Sequence, residues 1–593
     1  MRKIFTPLIL LISLMLIIFS SAETSNLRSA ELIKTKQVSD NFFGLDNSDN
    51  TWVANKLASM TLREKIAQMI ISYSDGFLVN ESSSEFKRMS NLIENEKVGG
   101  FIFFKGNSVE EAKLINRLQE MSETPLLMSA DFERGTKMRL NDGSLFPNNM
   151  ALGATGNTDL AYQMGLQIAK ECRAIGIHQN YAPVLDINNN PDNPIINVRS
   201  YGEDPLLVSK LGLSFIQGMQ EGGVIATAKH FPGHGDTDID SHSDLPVLNF
   251  SRERLDNLEL IPFQNAVDAG VMSVMIAHLS LPSIDDEAFL PASLSEKIID
   301  DLLIRQMGFK GLVVTDALNM AGIVKHFSTE DVALRCVDAG VDLILMPQGE
   351  TTTISTIENA VTNGSISEER IDRSVKKILD AKNWLKLHEN KYSEPSEVLN
   401  IVNSSSAKKI SQDIANESIT LVKNEGSILP FQNISDKTCL IISLNNGNEN
   451  ANSNLFASQF EANNKFKESY FYDLSGEISN KDELIFEAEN SDIILVPIYA
   501  KVKINTGTVG LPDSQISLIN SLIATGKKVI VISFGNPYLI KGFPDVDSYV
   551  CAYADAESTI ISAINALNGI IKFKGKLPVS ISQEFKLGHG ITN

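Results

Sequence analysis

The sequence predicts an α/β chain in two parts, a (β/α)8 TIM barrel followed by a C-terminal α/β sandwich domain. Three observations lead there. Eight short runs that are apolar throughout alternate with amphipathic stretches between Gln68 and Met346, the signature of parallel strands covered by helices. Ionisable residues stand at the exits of five of those runs, where a barrel enzyme carries its chemistry. A second series of apolar runs begins after Ala407.

In chain order, Met1 to Glu23 has Arg2 and Lys3 ahead of an apolar run from Leu8 to Phe19, then Ser20, Ser21 and Ala22. That is the layout of a secretory signal over residues 1–22, too short for a confident membrane span. It predicts an exported protein, periplasmic or secreted, with membrane association only if this segment stays uncleaved as an anchor. Residues 23–50 are a polar lead-in. The expected barrel covers residues 51–388. Its strands are Gln68–Ser72, Val98–Phe104, Pro125–Ala130, His178–Asp186, Val224–Lys229, Met272–His278, Leu312–Asp316 and Val341–Met346. Segments such as Val109–Met121, Leu160–Ala174, Leu206–Gln220, Arg254–Ala269 and Ser293–Met307 are the covering helices. Ser367 is the expected N-cap of a closing helix. Residues 389–406 form a linker and 407–593 the second domain, with strands at Cys439–Leu444, Asp492–Ile498, Val529–Phe534, Tyr549–Ala554 and Pro578–Ile581.

Composition narrows the function. A formal net charge of −21 argues against nucleic acid or an anionic membrane surface as partner. The four cysteines are widely separated in apolar surroundings and predict buried free thiols.

The densest chemistry is KHFPGHGDTDIDSH, Lys229 to His242, which holds three of the eight histidines and three aspartates. The apolar run before it places Lys229 and His230 where a strand ends. A calcium loop would need Gly and Glu where Ser241 and Val247 stand. A zinc helix is broken by Pro232 and Gly233 between His230 and His234. Neither metal nor cofactor is called for. Hydrogen-bonded filler is a third reading, but the density favours an acid–base pair. Asp240 would fix the tautomer of His242 and raise its basicity. Asp131, Asp186, His278 and Asp316 follow other strands. Any one of them alone reads as a cap or turn residue; together they read as a site. Arg199 either caps a carbonyl or offers its planar fork to a substrate oxygen. The second half shows no comparable cluster, and its expected role is to pack on the barrel and shape one wall of the cleft.

The whole chain from about residue 50 resembles the family 3 glycoside hydrolases, specifically the two-domain β-N-acetylglucosaminidases. The resemblance is carried by KHFPGHGDTDIDSH, FPNNMALGAT from Phe146, PVLDINNNPDNPIINVRSYG from Pro183, MIAHLSLP from Met275 and VVTDALNMAGI from Val313. ITLVKNEGSILP, SFGNPY and GKLPVSI carry it in the second half. It implies a retaining glycosidase acting on glycans with a terminal N-acetylglucosamine, with Asp316 as nucleophile. It implies His242, oriented by Asp240, as general acid/base, and Asp131, Arg139, Lys229, His230 and Arg199 around the terminal sugar. One departure stands out: DFERGTKMRL has Arg134 where the family pattern DxEGGxVxRL has glycine.

Overall fold

The computed structural model describes residues 51–237, 244–287, 289–446, 450–478, 481–500 and 510–592. The expected signal and lead-in, Asp240 and His242 therefore lie outside the described residues.

The first eight strands are β1 (Ile70–Gly76), β2 (Gly100–Gly106), β3 (Leu127–Ala130), β4 (Gln179–Asn180), β5 (Ile225–Phe231), β6 (Ser273–Ile276), β7 (Leu312–Thr315) and β8 (Ile344–Leu345). Each pairs in parallel with the next from β1 to β7, and β8 pairs with β1. A parallel bridge between Val314 and Leu343 brings β7 to the segment entering β8 and completes the ring. Every β3, β5, β6 and β7 residue is buried, which is why these strands read as unbroken apolar runs.

Several expected boundaries differ. The run His178–Asp186 pairs regularly only at Gln179–Asn180, because Pro183 supplies no N–H to the ladder. It continues irregularly through Thr227 N–H to Ala182 O and Leu185 N–H to Lys229 O. Strand β5 extends past Lys229 to Phe231, so Lys229 and His230 belong to the strand itself. The expected helix Arg254–Ala269 is two helices, Arg252–Asn257 and Leu260–Asp268, interrupted at Leu258 with φ −138° and ψ −80°. Ser367 caps Glu368–Trp384 as anticipated, accepting from Arg370 N–H.

The second sheet contains β9 (Thr420–Asn424), β10 (Thr438–Asn445), β11 (Glu468–Ser475), β12 (Ile493–Tyr499), β13 (Lys528–Ser533) and β14 (Ser548–Cys551), in the order β11-β10-β12-β13-β14-β9. Alternate residues face opposite ways. Cys439, Ile441, Leu495 and Ile532 pack with Phe456, Phe460, Ile560 and Ile564 of helices Asn450–Asn463 and Glu557–Leu567. Leu440, Ile442, Val496 and Val531 share a core with Leu484, Leu518 and Leu522 of Lys481–Glu489 and Asp513–Ala524. The result is an α/β/α sandwich. Pro578–Ile581 is not a strand: it docks on Glu203 of the barrel half, which donates its N–H to Pro578 O at 3.0 Å and accepts from Ser580 N–H at 2.8 Å. The unanticipated β11 is a partly exposed edge strand with no apolar alternation, and β9 joins as the antiparallel partner of β14. All four cysteines are buried and unpaired.

The halves are joined by polar contacts beside the barrel's strand exits. Asn148 Nδ2 donates to Tyr553 O at 2.6 Å, and Asn188 Nδ2 to Tyr538 Oη at 3.0 Å.

Candidate active site

The strand exits and the second sheet enclose a cleft of about 510 Å³. Asp131 follows β3 directly, and the chain then turns through DFERG. Gly135 has φ +106°, and a Cβ there would lie 2.3 Å from Ser144 O. Only glycine takes this turn without strain, and the turn lets Asp131, Glu133, Arg134 and Arg139 all line one cleft.

Lys229 is the centre of the floor. Its Nζ lies 2.9 Å from Asp131 Oδ1 and 2.9 Å from Glu133 Oε1. Arg199 grips Glu133 with both prongs of its fork, Nε at 3.0 Å and Nη2 at 2.7 Å, while Arg139 Nη2 reaches Asp131 Oδ2 at 3.0 Å. Three cations thus meet two carboxylates, with the Lys229 side chain only 3 % and Glu133 6 % exposed. Such buried charges are tolerable only when paired and hydrogen-bonded. Burial pushes the Glu133 carboxyl up, but Arg199 and Lys229 outweigh it and hold the group well below the usual carboxylate range. Burial likewise raises Asp131, and Lys229 with Arg139 brings it below its ordinary value. Burial lowers Lys229, yet the two carboxylates leave it above the usual lysine range. All three groups are therefore ionised at neutral pH. They can donate to and accept from hydroxyl and amide groups, but neither acid can act as a proton donor.

Beneath this layer, Asp186 is fully buried and organises the histidines. His230 Nδ1 lies 2.6 Å from Asp186 Oδ2, and His234 N–H donates to Oδ1 at 2.7 Å. His230 Nε2 comes within 3.4 Å of Arg199 Nη2. The His234 ring contacts Thr237 Oγ1 at 3.0 Å, and burial with the neighbouring His230 lowers it to about 4, so it is neutral at pH 7. Gly235 lets the loop lie against Ile187, since a Cβ there would meet Ile187 O at 1.7 Å. Asp236, the first of the loop's three aspartates, is held by Arg254 Nη2 at 2.6 Å.

Asp316 follows β7 and lines the cleft. Its N–H donates to Ile276 O at 2.9 Å and its Oδ1 accepts from Ala317 N–H at 2.8 Å. His278 lies behind this turn, fully buried. Its Nε2–H donates to Ala317 O at 3.0 Å, which leaves Nδ1 to accept from Ser293 Oγ at 2.8 Å. It buttresses the turn carrying Asp316 and does not line the cleft.

Of the residues anticipated from the sequence, Asp131, Arg139, Lys229, His230, Arg199 and Asp316 all line this one cleft. Asp240 and His242 are outside the described residues. Glu133, not among the residues expected around the terminal sugar, is a full member of the charged floor. Two contributors went unanticipated. Asn149 lines the cleft, donates Nδ2 to Arg199 O at 2.7 Å and has a buried Oδ1 with no hydrogen-bond partner among the described residues. Asp555 comes from the second half, whose wall also includes Phe534, Gly535 and Asn536. The shaping of that wall was anticipated; a carboxylate in it was not. A lone Asp in AYADAE carries no local signal, whereas Glu133 stood two residues from Asp131 in a motif already singled out.

The model described as "Glycosyl hydrolase family 3 N terminal domain" matches residues 61–381, and "Glycosyl hydrolase family 3 C-terminal domain" matches residues 419–589. A β-N-acetylglucosaminidase/β-glucosidase of Cellulomonas fimi is 28% identical over 561 residues, 91% of this chain and 97% of that protein. The β-hexosaminidase A of Pseudoalteromonas piscicida is 33% identical over 390 residues, 60% of this chain and 64% of that one. Among solved structures, a family 3 β-N-acetylglucosaminidase from a Paenibacillus species superposes with a TM-score of 0.77 at 32% identity, covering 88% of this chain and 99% of its own. A β-glucoside phosphorylase gives a TM-score of 0.81 at 27% identity, covering 90% and 96%.

Proposed function

Because the chain belongs to glycosyl hydrolase family 3, we propose that its cleft is that of an exported, retaining β-N-acetylglucosaminidase. It would remove terminal β-linked N-acetylglucosamine from glycans such as chitooligosaccharides or peptidoglycan fragments. The observation that carries this reading is the ionised floor of Asp131, Glu133, Lys229, Arg139 and Arg199, with Asp316 on a separate strand exit. A floor of fixed donors and acceptors suits a sugar's hydroxyls and acetamide, and leaves the cleaving chemistry to groups outside it.

In this reading Asp316 attacks the anomeric carbon as the glycosidic C–O bond breaks, forming a glycosyl ester. The departing oxygen takes a proton from His242, whose cationic form Asp240 stabilises. His242 then removes a proton from water, and the resulting hydroxide releases the sugar with its configuration retained. The low titration ranges of Asp131 and Glu133 support this division of labour. Their side chains do converge, both on Lys229 Nζ, although β3 ends before them. Convergence of this kind would suit an acetamide-assisted route through an oxazoline, but an acid already neutralised by Lys229 and an arginine has little charge left to offer that intermediate.

A β-glucosidase is the second reading, favoured by one observation: a family 3 β-glucosidase would be expected to take its acid from the second half, and Asp555 lines the cleft from there. Asp555 Oδ1 stands 3.7 Å from Arg134 Nη1. The aryl β-N-acetylglucosaminide should exceed the matching β-glucoside in kcat/KM by about 10²-fold, because donors placed for the acetamide go unpaired without it. A 5-fluoro N-acetylglucosaminyl fluoride should label Asp316 in VVTDALNM. Equal or reversed rates would overturn the substrate assignment, and strong inhibition by a thiazoline with no label on Asp316 would overturn the covalent route. Recovery of the mature chain outside the cytoplasm, beginning after Ala22, tests export.

A further inference from the structure

One fully buried carboxylate has no part in the proposed chemistry. Asp186 closes the irregular run after β4 and stands behind the cleft wall that His230 and Arg199 line. Its two oxygens are committed in different ways. Oδ1 accepts from the His234 N–H at 2.7 Å and from the His230 N–H at 3.2 Å. Oδ2 faces His230 Nδ1 at 2.6 Å, with the His230 N–H at 3.3 Å.

These contacts assign the proton of the His230 ring. Burial raises Asp186, but His230 and His234 bring it below its ordinary value, so Oδ2 accepts and Nδ1 donates. On the other side of the ring, Nε2 stands 3.4 Å from Arg199 Nη2, a group that can only donate. Both ends therefore require the same tautomer, with Nδ1 protonated and the Nε2 lone pair toward Arg199. That Nη2 also donates to Glu133 Oε1 at 2.7 Å, and the same oxygen meets Lys229 Nζ at 2.9 Å. A continuous line of contacts thus runs from Asp186 through His230 and Arg199 to the charged floor.

We propose that Asp186 is a positioning residue for the reaction: it fixes the tautomer of His230, and through that ring the placement of Arg199 and the floor that holds the terminal sugar. This rests on the glycosidase reading above. The isosteric amide shows what the geometry demands. In Asp186→Asn the amide oxygen has to take the Oδ1 place, because the opposite orientation would set Nδ2 against two backbone N–H donors at 2.7 and 3.2 Å. The amide Nδ2–H then faces His230 Nδ1. Either that nitrogen accepts, and the ring proton moves to Nε2 where it confronts Arg199, or the ring keeps its tautomer and two donors collide at residue 186. In both cases a change of one atom turns His230 out of place while the volume of the site stays the same.

The test uses the full chain and measures kcat and KM for 4-nitrophenyl β-N-acetylglucosaminide, the Ki of N-acetylglucosamine as a competitive inhibitor, and thermal unfolding. Asp186→Asn should raise KM and Ki together by about tenfold. Loss of folded protein would instead lower the apparent kcat alone and leave KM and Ki where they were. In His230→Gln the amide oxygen can accept from Arg199 with no tautomer to set, so adding Asp186→Asn to it should raise Ki by no more than about twofold. His230→Gln should also bind N-acetylglucosamine about tenfold more tightly than His230→Met, which offers no comparable acceptor. That comparison keeps Asp186 and stands even if Asp186→Asn fails to fold. An Asp186→Asn variant with KM and Ki unmoved, an equal rise in the His230→Gln background, or a His230→Gln no better than His230→Met would overturn the proposal. If the wild type neither cleaves the aryl glycoside nor binds N-acetylglucosamine, the glycosidase reading fails as well; if it does both and only these ratios stay fixed, the positioning role alone is refuted.

Discussion

Replacing Lys229 by Met tests the charged floor most directly, because the substitution keeps the length of the side chain and removes only its charge and donors. Two contacts of 2.9 Å disappear, one to Asp131 and one to Glu133. Hydrogen bonds to charged groups contribute about 1.5–3 kcal/mol each, and stripping one partner from a buried pair costs about 3–5 kcal/mol. Arg139 and Arg199 remain on the two carboxylates, so the lower end applies, about 3 kcal/mol. If that loss falls on the transition state, it is roughly a 10²-fold drop in kcat/KM. The pH profile carries a second signature. In the wild type both carboxyls titrate below their usual range, so any acid limb they cause lies below that of an ordinary carboxylate. Without Lys229 the burial that raises both carboxyls is opposed by less, and one should hold its proton into the mildly acidic range. The acid limb of kcat/KM should therefore move upward in the variant. The assay is kcat/KM for an aryl β-N-acetylglucosaminide between pH 4 and 8, alongside thermal unfolding. A variant within threefold of wild type with an unmoved acid limb would refute the idea that Lys229 neutralises a working carboxylate pair.

Two further outcomes are expected. His242→Ala should lose about 10²–10⁴-fold on substrates with poor leaving groups and far less on good ones; a loss uniform across leaving-group pKa would make His242 a positioning residue. Glu111 is buried against the ends of β1 and β2, with neither carboxylate oxygen hydrogen-bonded, and burial together with Asp142 raises it to about 8. A carboxyl raised on folding contributes stability that is full below its unfolded pKa near 4.5 and is lost as pH rises through 8. Glu111→Gln should therefore stabilise the chain by on the order of 4 kcal/mol at pH 8 relative to pH 5, measured as the pH dependence of the thermal midpoint. Parallel midpoints for the two proteins would show that Glu111 is not protonated on folding.

Much of this was readable in the sequence, because it was written locally. A buried parallel strand must be apolar throughout, so the barrel strands announced themselves as runs, and an ionisable residue closing such a run is an exception visible in one glance. Asp131 and Asp316 were found that way, and Arg139 and Arg199 came with the family motifs around them. The sequence was weaker where pairing depends on a neighbour. Pro183 shortened β4, β5 ran on through Phe231, and the partly exposed edge strand β11 carried no alternation to mark it. It was silent where chemistry depends on closure. Glu133 and Asp131 meet on Lys229 because the exits of β3 and β5 converge on one axis, and Arg134 comes within 3.7 Å of Asp555 only because the second half docks over the barrel mouth. Local propensity sets which residues end a strand; which charges then face each other is decided by contacts between segments far apart in the chain, which no local pattern encodes.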